Sequence, residues 1–429
     1  MRKGLALALL AMMSTAAVST SADDHRYDLL LQGGHVIDAR NDLSAVRDVA
    51  VLDGRIAAVA PGIDPAEALK VVDVSGLYVT PGLVDIHTHV YAGTGERGSY
   101  AGDNSVYPDG HTFRVGVTTV VDAGGAGWRN FEDFKDRVID RQKTRILAFL
   151  NIIGGGMRGL PHEQDLRDME PSSAAEMAAK HPETVVGIKT AHYGGRDWGP
   201  VERAVEAGER AGLPVMVDFG DDFPERPLAT LLTEKLRPGD IYTHCYSGRR
   251  QELKDGQVNP AMVEGRERGV IFDVGHGAGS FFWRVAVPMV QEGFWPDSIS
   301  TDLHISSMNS GMKDQLNVMS KFLALGMDLD DVIATSTWNP AREIGREELG
   351  HMSVRARADV AVLRLETGAF GFIDAYGARL DGTRRLVCEL TLRDGKVVYD
   401  LNGITREQWD DLPPDYERTG DPRWDGIWR

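Results

Sequence analysis

Hydrophobic and polar positions along the chain fall into two textures. Near both ends they alternate at the two-residue period of half-buried strands. Residues 27–38, 48–59, 71–74 and 77–80 read as short strands, with Asp53-Gly54 as a favoured hairpin turn. Residues 359–363, 386–392 and 393–399 repeat the texture, and Asp394-Gly395 repeats the turn. Between roughly 82 and 342 the pattern becomes strand, loop, helix, with apolar runs at 83–89, 118–122, 146–151, 185–190, 214–218, 241–244, 270–274 and 298–302. Helical segments such as 201–211 and 312–325 separate them. Eight such units predict an α/β fold, a (β/α)8 TIM barrel whose site lies at the C-terminal ends of the strands. An open doubly wound sheet has the same texture. Closure is favoured because candidate ligands end strands 1, 4, 5, 6 and 8, too wide a front for an open sheet. The expected organisation is a signal segment at 1–22, a small β-sandwich built from 26–80 and 343–402, the barrel at 81–342, and a tail at 403–429 whose aromatics dock on the body.

The ends and the charge narrow the setting. Arg2 and Lys3, the apolar run to Met13 and the small residues Thr20-Ser21-Ala22 form a secretory-signal pattern cut near Ala22. Its apolar stretch is short of the roughly 20 residues that span a bilayer. The expectation is a periplasmic or secreted protein, free of the membrane after cleavage. A formal charge of −17 argues against nucleic acid or anionic lipid as partner. Two cysteines, Cys245 and Cys388, do not make a disulfide framework and are expected to be free.

The candidate chemistry begins at Pro81-Gly82-Leu83-Val84-Asp85-Ile86-His87-Thr88-His89. Alternate strand residues face one side, so His87 and His89 project together from the end of the first barrel strand and can share a metal. Lys189 ends strand 4. Buried beside histidines, its ammonium is costly, and it either reacts with carbon dioxide to form a metal-bridging carbamate or pairs with a carboxylate. His244 ends strand 6 and Asp302 ends strand 8; taken with His87 and His89 they read as ligands. His276, after strand 7, is a candidate hydrogen-bond donor to the reacting carbonyl or a loop brace. Arg158 and Arg196 are rival candidates for holding a substrate carboxylate.

These residues resemble the amidohydrolase superfamily, and most of all its dihydroorotase-like deacetylase metallohydrolases. The likeness rests on Gly33-Gly34, Asp53-Gly54-Arg55-Ile56, the His87/His89 segment, Gly187-Ile188-Lys189, the run from Pro238 to Cys245, that from Phe272 to Gly277, Thr301-Asp302-Leu303-His304 and Asn339-Pro340-Ala341. The resemblance implies one metal on His87, His89 and Asp302, and a carboxylated Lys189 bridging to a second metal that takes His244. Two zinc ions are expected, or one if Asp218 is not a ligand. Asp218 ends strand 5 where the family usually has His. It ligates the second metal itself, or pairs with an unmodified Lys189, or leaves His192 to supply the missing imidazole; the first is preferred.

A metal-activated water would attack an amide or ester carbonyl, with Asp302 accepting the proton and passing it to the leaving group, and His276 assisting the oxyanion. No Gly-x-Ser-x-Gly elbow of serine hydrolases occurs. The expected activity is removal of an acyl group from a small N-acyl amino acid or O-acyl hydroxy acid. A cyclic amide hydrolase, dihydroorotase-like, is the enzymatic rival, and a catalytically silent barrel acting in binding or assembly is the other. The expected partner is a small-molecule substrate, and a homo-oligomer is possible because relatives often associate.

Overall fold

The computed structural model describes residues 25–417 and 420–427; the signal pattern at 1–22 lies outside them. Strands β1 (Tyr27–Asp38), β2 (Leu43–Leu52), β3 (Arg55–Ala60), β4 (Ala68–Asp73) and β5 (Tyr78–Pro81) precede the barrel. After it come β15 (Val360–Ile373), β16 (Arg379–Arg393) and β17 (Lys396–Asp400). All eight join one sheet in the order β17-β16-β15-β5-β1-β2-β3, with β4 also paired to β1. Side chains from both chain ends, among them Leu29, Val51, Val79, Val362 and Leu390, share a buried cluster. Asp53 and Gly54 both have positive φ, as do Asp394 and Gly395, the geometry that suits a two-residue hairpin turn. In the tail, Trp424 is buried against the small-domain core. Trp409 does not dock, being 73% exposed.

The barrel strands are β6 (Leu83–Thr88), β7 (Val117–Gly127), β8 (Arg145–Asn151), β9 (Val185–Thr190), β10 (Val215–Val217), β11 (Ile241–Tyr242) and β14 (Ile271–Phe272), paired in parallel. A short ribbon of β12 (Leu253–Lys254) and β13 (Gln257–Val258) interrupts them. The eighth run, 298–302, closes the circle through single bridges rather than a ladder: Asp273 to Ser298 on one side and Thr88 to Leu303 on the other. It makes no regular strand because Asp302 takes a positive φ of 52° and the Asp85 carboxylate accepts the Thr301 amide. Val84, Ile86, Val186, Met216 and Ile241 form a cluster N-terminal to the ligand position on each strand, plugged by Ala341, Ile344 and Leu349. Beyond this packed floor, polar side chains such as His87, Lys189 and His244 gather at the strands' C-terminal ends. The helix predicted at 312–325 starts later, at Gln315–Leu325, because the Asp314 side chain accepts the Asn317 amide and fixes its N-terminus. Cys245 and Cys388 are buried and free. Among the described residues no helix is long and apolar enough to cross a membrane.

Candidate metal centre

At the mouth of the barrel the donor atoms of His87, His89 and Asp302 lie within 4.8 Å of one another. Asp302 Oδ1 is 3.0 Å from His89 Nε2 and 3.8 Å from His87 Nε2. It is buried and accepts no hydrogen bond among the described residues. A buried carboxylate oxygen without a donor is costly; one that faces two imidazole nitrogens fits a divalent cation. The tautomers fit as well. Thr243 Oγ1 donates to Asp273 Oδ2 at 2.7 Å, so it accepts from His87 Nδ1 at 2.9 Å and leaves the His87 Nε2 lone pair free. His244 Nδ1 donates to the Gly275 carbonyl at 2.5 Å, which likewise frees its Nε2. Gly275 is required there: a Cβ would lie 2.3 Å from Thr243 Oγ1 and 2.8 Å from His244 Nδ1. Burial, and then the nearby Lys189 ammonium, push the His87 imidazole down to about 3, and burial also lowers His89, so the His87 and His89 rings are neutral and available as ligands near pH 7.

Lys189, at the end of β9, is fully buried, and its Nζ lies 3.4 Å from His87 Nε2. Burial lowers its amine to about 8. It forms no ion pair within 4.0 Å among the described residues; the carboxylate that sequence offered as its partner, Asp218, is bound instead by Arg250 Nη2 at 2.5 Å. Asp218 Oδ2 lies 3.4 Å from His192 Nε2 and 3.5 Å from His244 Nε2. His192 Nδ1 meets the buried Glu163 carboxylate at 2.6 Å. Burial alone would raise the Asp302 and Asp218 pKa values; interaction with the His304 and His87 imidazoles around Asp302, and with His244 and the Arg250 guanidinium around Asp218, holds both carboxyls below the usual range. His192, His244 and Asp302 all carry positive φ, at 56°, 63° and 52°. Such backbone strain in non-glycine residues gathers at functional sites.

A cavity of about 320 Å³ opens over these groups, lined by Tyr100, His192, Asp218, Arg249, Arg250 and Asp302 among others. Three sequence candidates lie elsewhere. Arg158 is tied to Glu96, with Nη2 at 2.5 Å, and exposed Arg196 to Glu225 at 2.9 Å, so neither guanidinium lines the cavity. His276 is fully buried and stacked on Phe281; Lys321 Nζ lies 2.6 Å from its Nε2, and its Nδ1 meets the Gly277 carbonyl. Both ring nitrogens are engaged, which makes His276 a loop brace rather than a donor to substrate. Sequence reasoning missed Tyr100, Glu163, Arg249 and Arg250. Arg249-Arg250, six residues beyond the His244 strand end at most, was the one available signal. Tyr100 packs on His89 with ring centroids 4.4 Å apart, and its hydroxyl makes no hydrogen bond among the described residues. Burial, and then the Asp302 and Asp218 charges, raise its pKa, so it is a neutral donor.

The fold and the site define a metal-dependent hydrolase of the barrel type. No model of a known protein family matches the chain. It is 33% identical over 343 residues to a deacetylase of Brucella anthropi, covering 78% of this chain and 83% of that one. It is also 33% identical over 334 residues to a deacetylase of Agrobacterium fabrum, covering 76% and 80%. Among solved structures, an adenine deaminase superposes with a TM-score of 0.79 at 27% identity over 87% of this chain and 100% of that one. A dihydroorotase superposes at 0.75 with 30% identity, over 87% and 99%. The chain belongs to the amidohydrolase superfamily, in the group that holds these deacetylases.

Proposed function

We propose that the protein hydrolyses the acyl bond of a small carboxylate-bearing N-acyl amino acid or O-acyl hydroxy acid. The observation that carries the reading is the buried His87, His89 and Asp302 cluster at the foot of a cavity that also presents the Arg249 guanidinium. A zinc ion held by these three would polarise the carbonyl and make a bound water acidic near neutral pH. Asp302 accepts a proton on its free oxygen and returns it to the leaving group. Tyr100, in place of His276, donates its hydroxyl hydrogen toward the developing oxyanion. Arg249, which forms no ion pair among the described residues, receives the substrate carboxylate. The names of the deacetylase relatives support the same bond class.

Two expected outcomes test these roles. Arg249→Gln should raise KM for N-acetyl amino acids by roughly 10–100-fold, the value of a charge-assisted hydrogen bond, with little change for the uncharged methyl esters. Tyr100→Phe should leave KM in place and lower kcat. Equal KM changes for acids and esters would remove Arg249 from substrate binding. Dihydroorotate belongs in the same panel, because a dihydroorotase structure superposes well; ring opening faster than deacylation would favour the cyclic-amide rival.

We further propose that Lys189 carries a carbamate. Carbon dioxide adds to the neutral amine, an N–C bond forms, one proton leaves, and the lysine becomes an anionic oxygen donor beside His87. Its burial without an ion-pair partner among the described residues supports this. Protein prepared in ¹³C-bicarbonate should show a carbamate carbon resonance that Lys189→Ala lacks. An unlabelled Lys189 in metal-loaded, active protein would refute the modification.

A further inference from the structure

We infer that the protein binds a single catalytic cation and that the Arg250 guanidinium stands in for a second. The inference rests on the reading that His87, His89 and Asp302 hold the first. The two carboxylates of the site differ in what they lack. Among the described residues Asp302 Oδ1 is buried with no hydrogen-bond donor, whereas Asp218 Oδ1 is held by Arg250 Nη2 at 2.5 Å. Arg250 is only 2% exposed, its Nε donates to the Gly220 carbonyl, and its charged plane lies 5.8 Å from the Tyr242 ring centre. A guanidinium keeps its proton in proteins, so the far side of the barrel carries a fixed positive charge on one oxygen of the carboxylate that a second ion would use.

His192 and His244 do not converge on one ion either. His192 and His244 each approach Asp218 Oδ2, yet among the described His, Cys, Asp and Glu side chains no trio other than His87, His89 and Asp302 has its donor atoms within 4.8 Å of one another. Two donors on one zinc, each about 2.1 Å away, can be no more than about 4.2 Å apart. His192 and His244 therefore flank Asp218 without sharing a metal position. Glu163 holds His192 from behind, and the line Glu163, His192, Asp218, Arg250 compensates its own buried charges. A second ion would therefore have Asp218 Oδ2 and only one of these two imidazoles, beside the Arg250 charge, a poor fit to the pair of zinc ions that the superfamily resemblance implies.

The test is metal stoichiometry of the full chain, purified without chelator, equilibrated with excess zinc and freed of loose ions, read by inductively coupled plasma mass spectrometry. One ion per chain is expected. Two ions would overturn this inference and leave the hydrolase reading standing; none would overturn both. The double variant Asp218→His with Arg250→Met, checked for fold by circular dichroism, should take up a second ion. A folded double variant that still holds one ion would overturn the role given to Arg250. Should that variant fail to fold, cobalt-loaded unmodified protein decides: an isolated cobalt signal in electron paramagnetic resonance supports the inference, and a spin-coupled pair overturns it.

Discussion

Asp302→Asn is expected to lower kcat by roughly 10²–10⁴-fold, the usual contribution of a positioned proton-transfer group. The substitution is chosen for the backbone as well as the chemistry. Asp302 sits at a φ of 52°, a left-handed conformation that Asn tolerates and most residues do not. The amide keeps the shape and one oxygen near His87 and His89, while the charge and the proton acceptor are lost. Metal content measured beside kcat separates the two roles of the carboxylate. A rate loss with the ion retained marks proton transfer, and loss of both marks ligation. Near-normal kcat in a metal-loaded Asp302→Asn protein would remove Asp302 from the chemistry.

The second large effect falls on stability. Asp273 is fully buried and accepts hydrogen bonds from Thr243 at 2.7 Å, Ser298 at 3.0 Å and Ser300 at 2.7 Å. Those donors lie on the sixth and eighth barrel segments, so one carboxylate ties together the part of the circle closed only by single bridges. Asp273→Ala strands buried hydroxyls and unfixes the Thr243 that orients His87. The expected cost is about 3–5 kcal/mol, read by urea denaturation, with a roughly 10–100-fold weaker hold on metal. Burial alone would raise the Asp273 pKa, but the nearby His87 imidazole and hydrogen bonds from Thr243 and Ser300 bring it below the ordinary value. A depressed carboxylate contributes stability that is present above its unfolded pKa of about 3.9 and is lost as pH falls through the folded value. The deficit of the variant should therefore be constant between pH 6 and 8 and shrink in acid. Equal stability of variant and parent at pH 7 would contradict this account of barrel closure.

The ends of the barrel strands were legible because strand periodicity is local. An apolar run that stops at His87, Lys189, His244 or Asp302 announces both the strand and its polar tip. The irregular eighth segment was less so, since its form depends on Asp85, 216 residues away. Pairings between loops leave no periodic mark at all. Asp218 and Arg250 are 32 residues apart, and Glu163 and His192 are 29 apart; nothing in either segment shows that the other is its partner. The same blindness misplaced Arg158 and Arg196, whose charges are already taken by Glu96 and Glu225. His276 stood in the expected loop, but Lys321, a helix residue that sequence alone would leave in solvent, turns out to be buried against it. The Asp at strand 5 was the one visible departure from the family pattern, and it led to the Arg250 contact.

The central claim is that His87, His89 and Asp302 hold the divalent ion on which hydrolysis depends. Its most direct test is to strip the protein with a chelator, return zinc in steps, and follow acetate release from an N-acetyl amino acid that the enzyme turns over. The account predicts that the rate falls to background without metal and rises in proportion to bound zinc in the parent protein, with no recovery in His89→Ala. Stripped protein that hydrolyses the substrate at its original rate would contradict it.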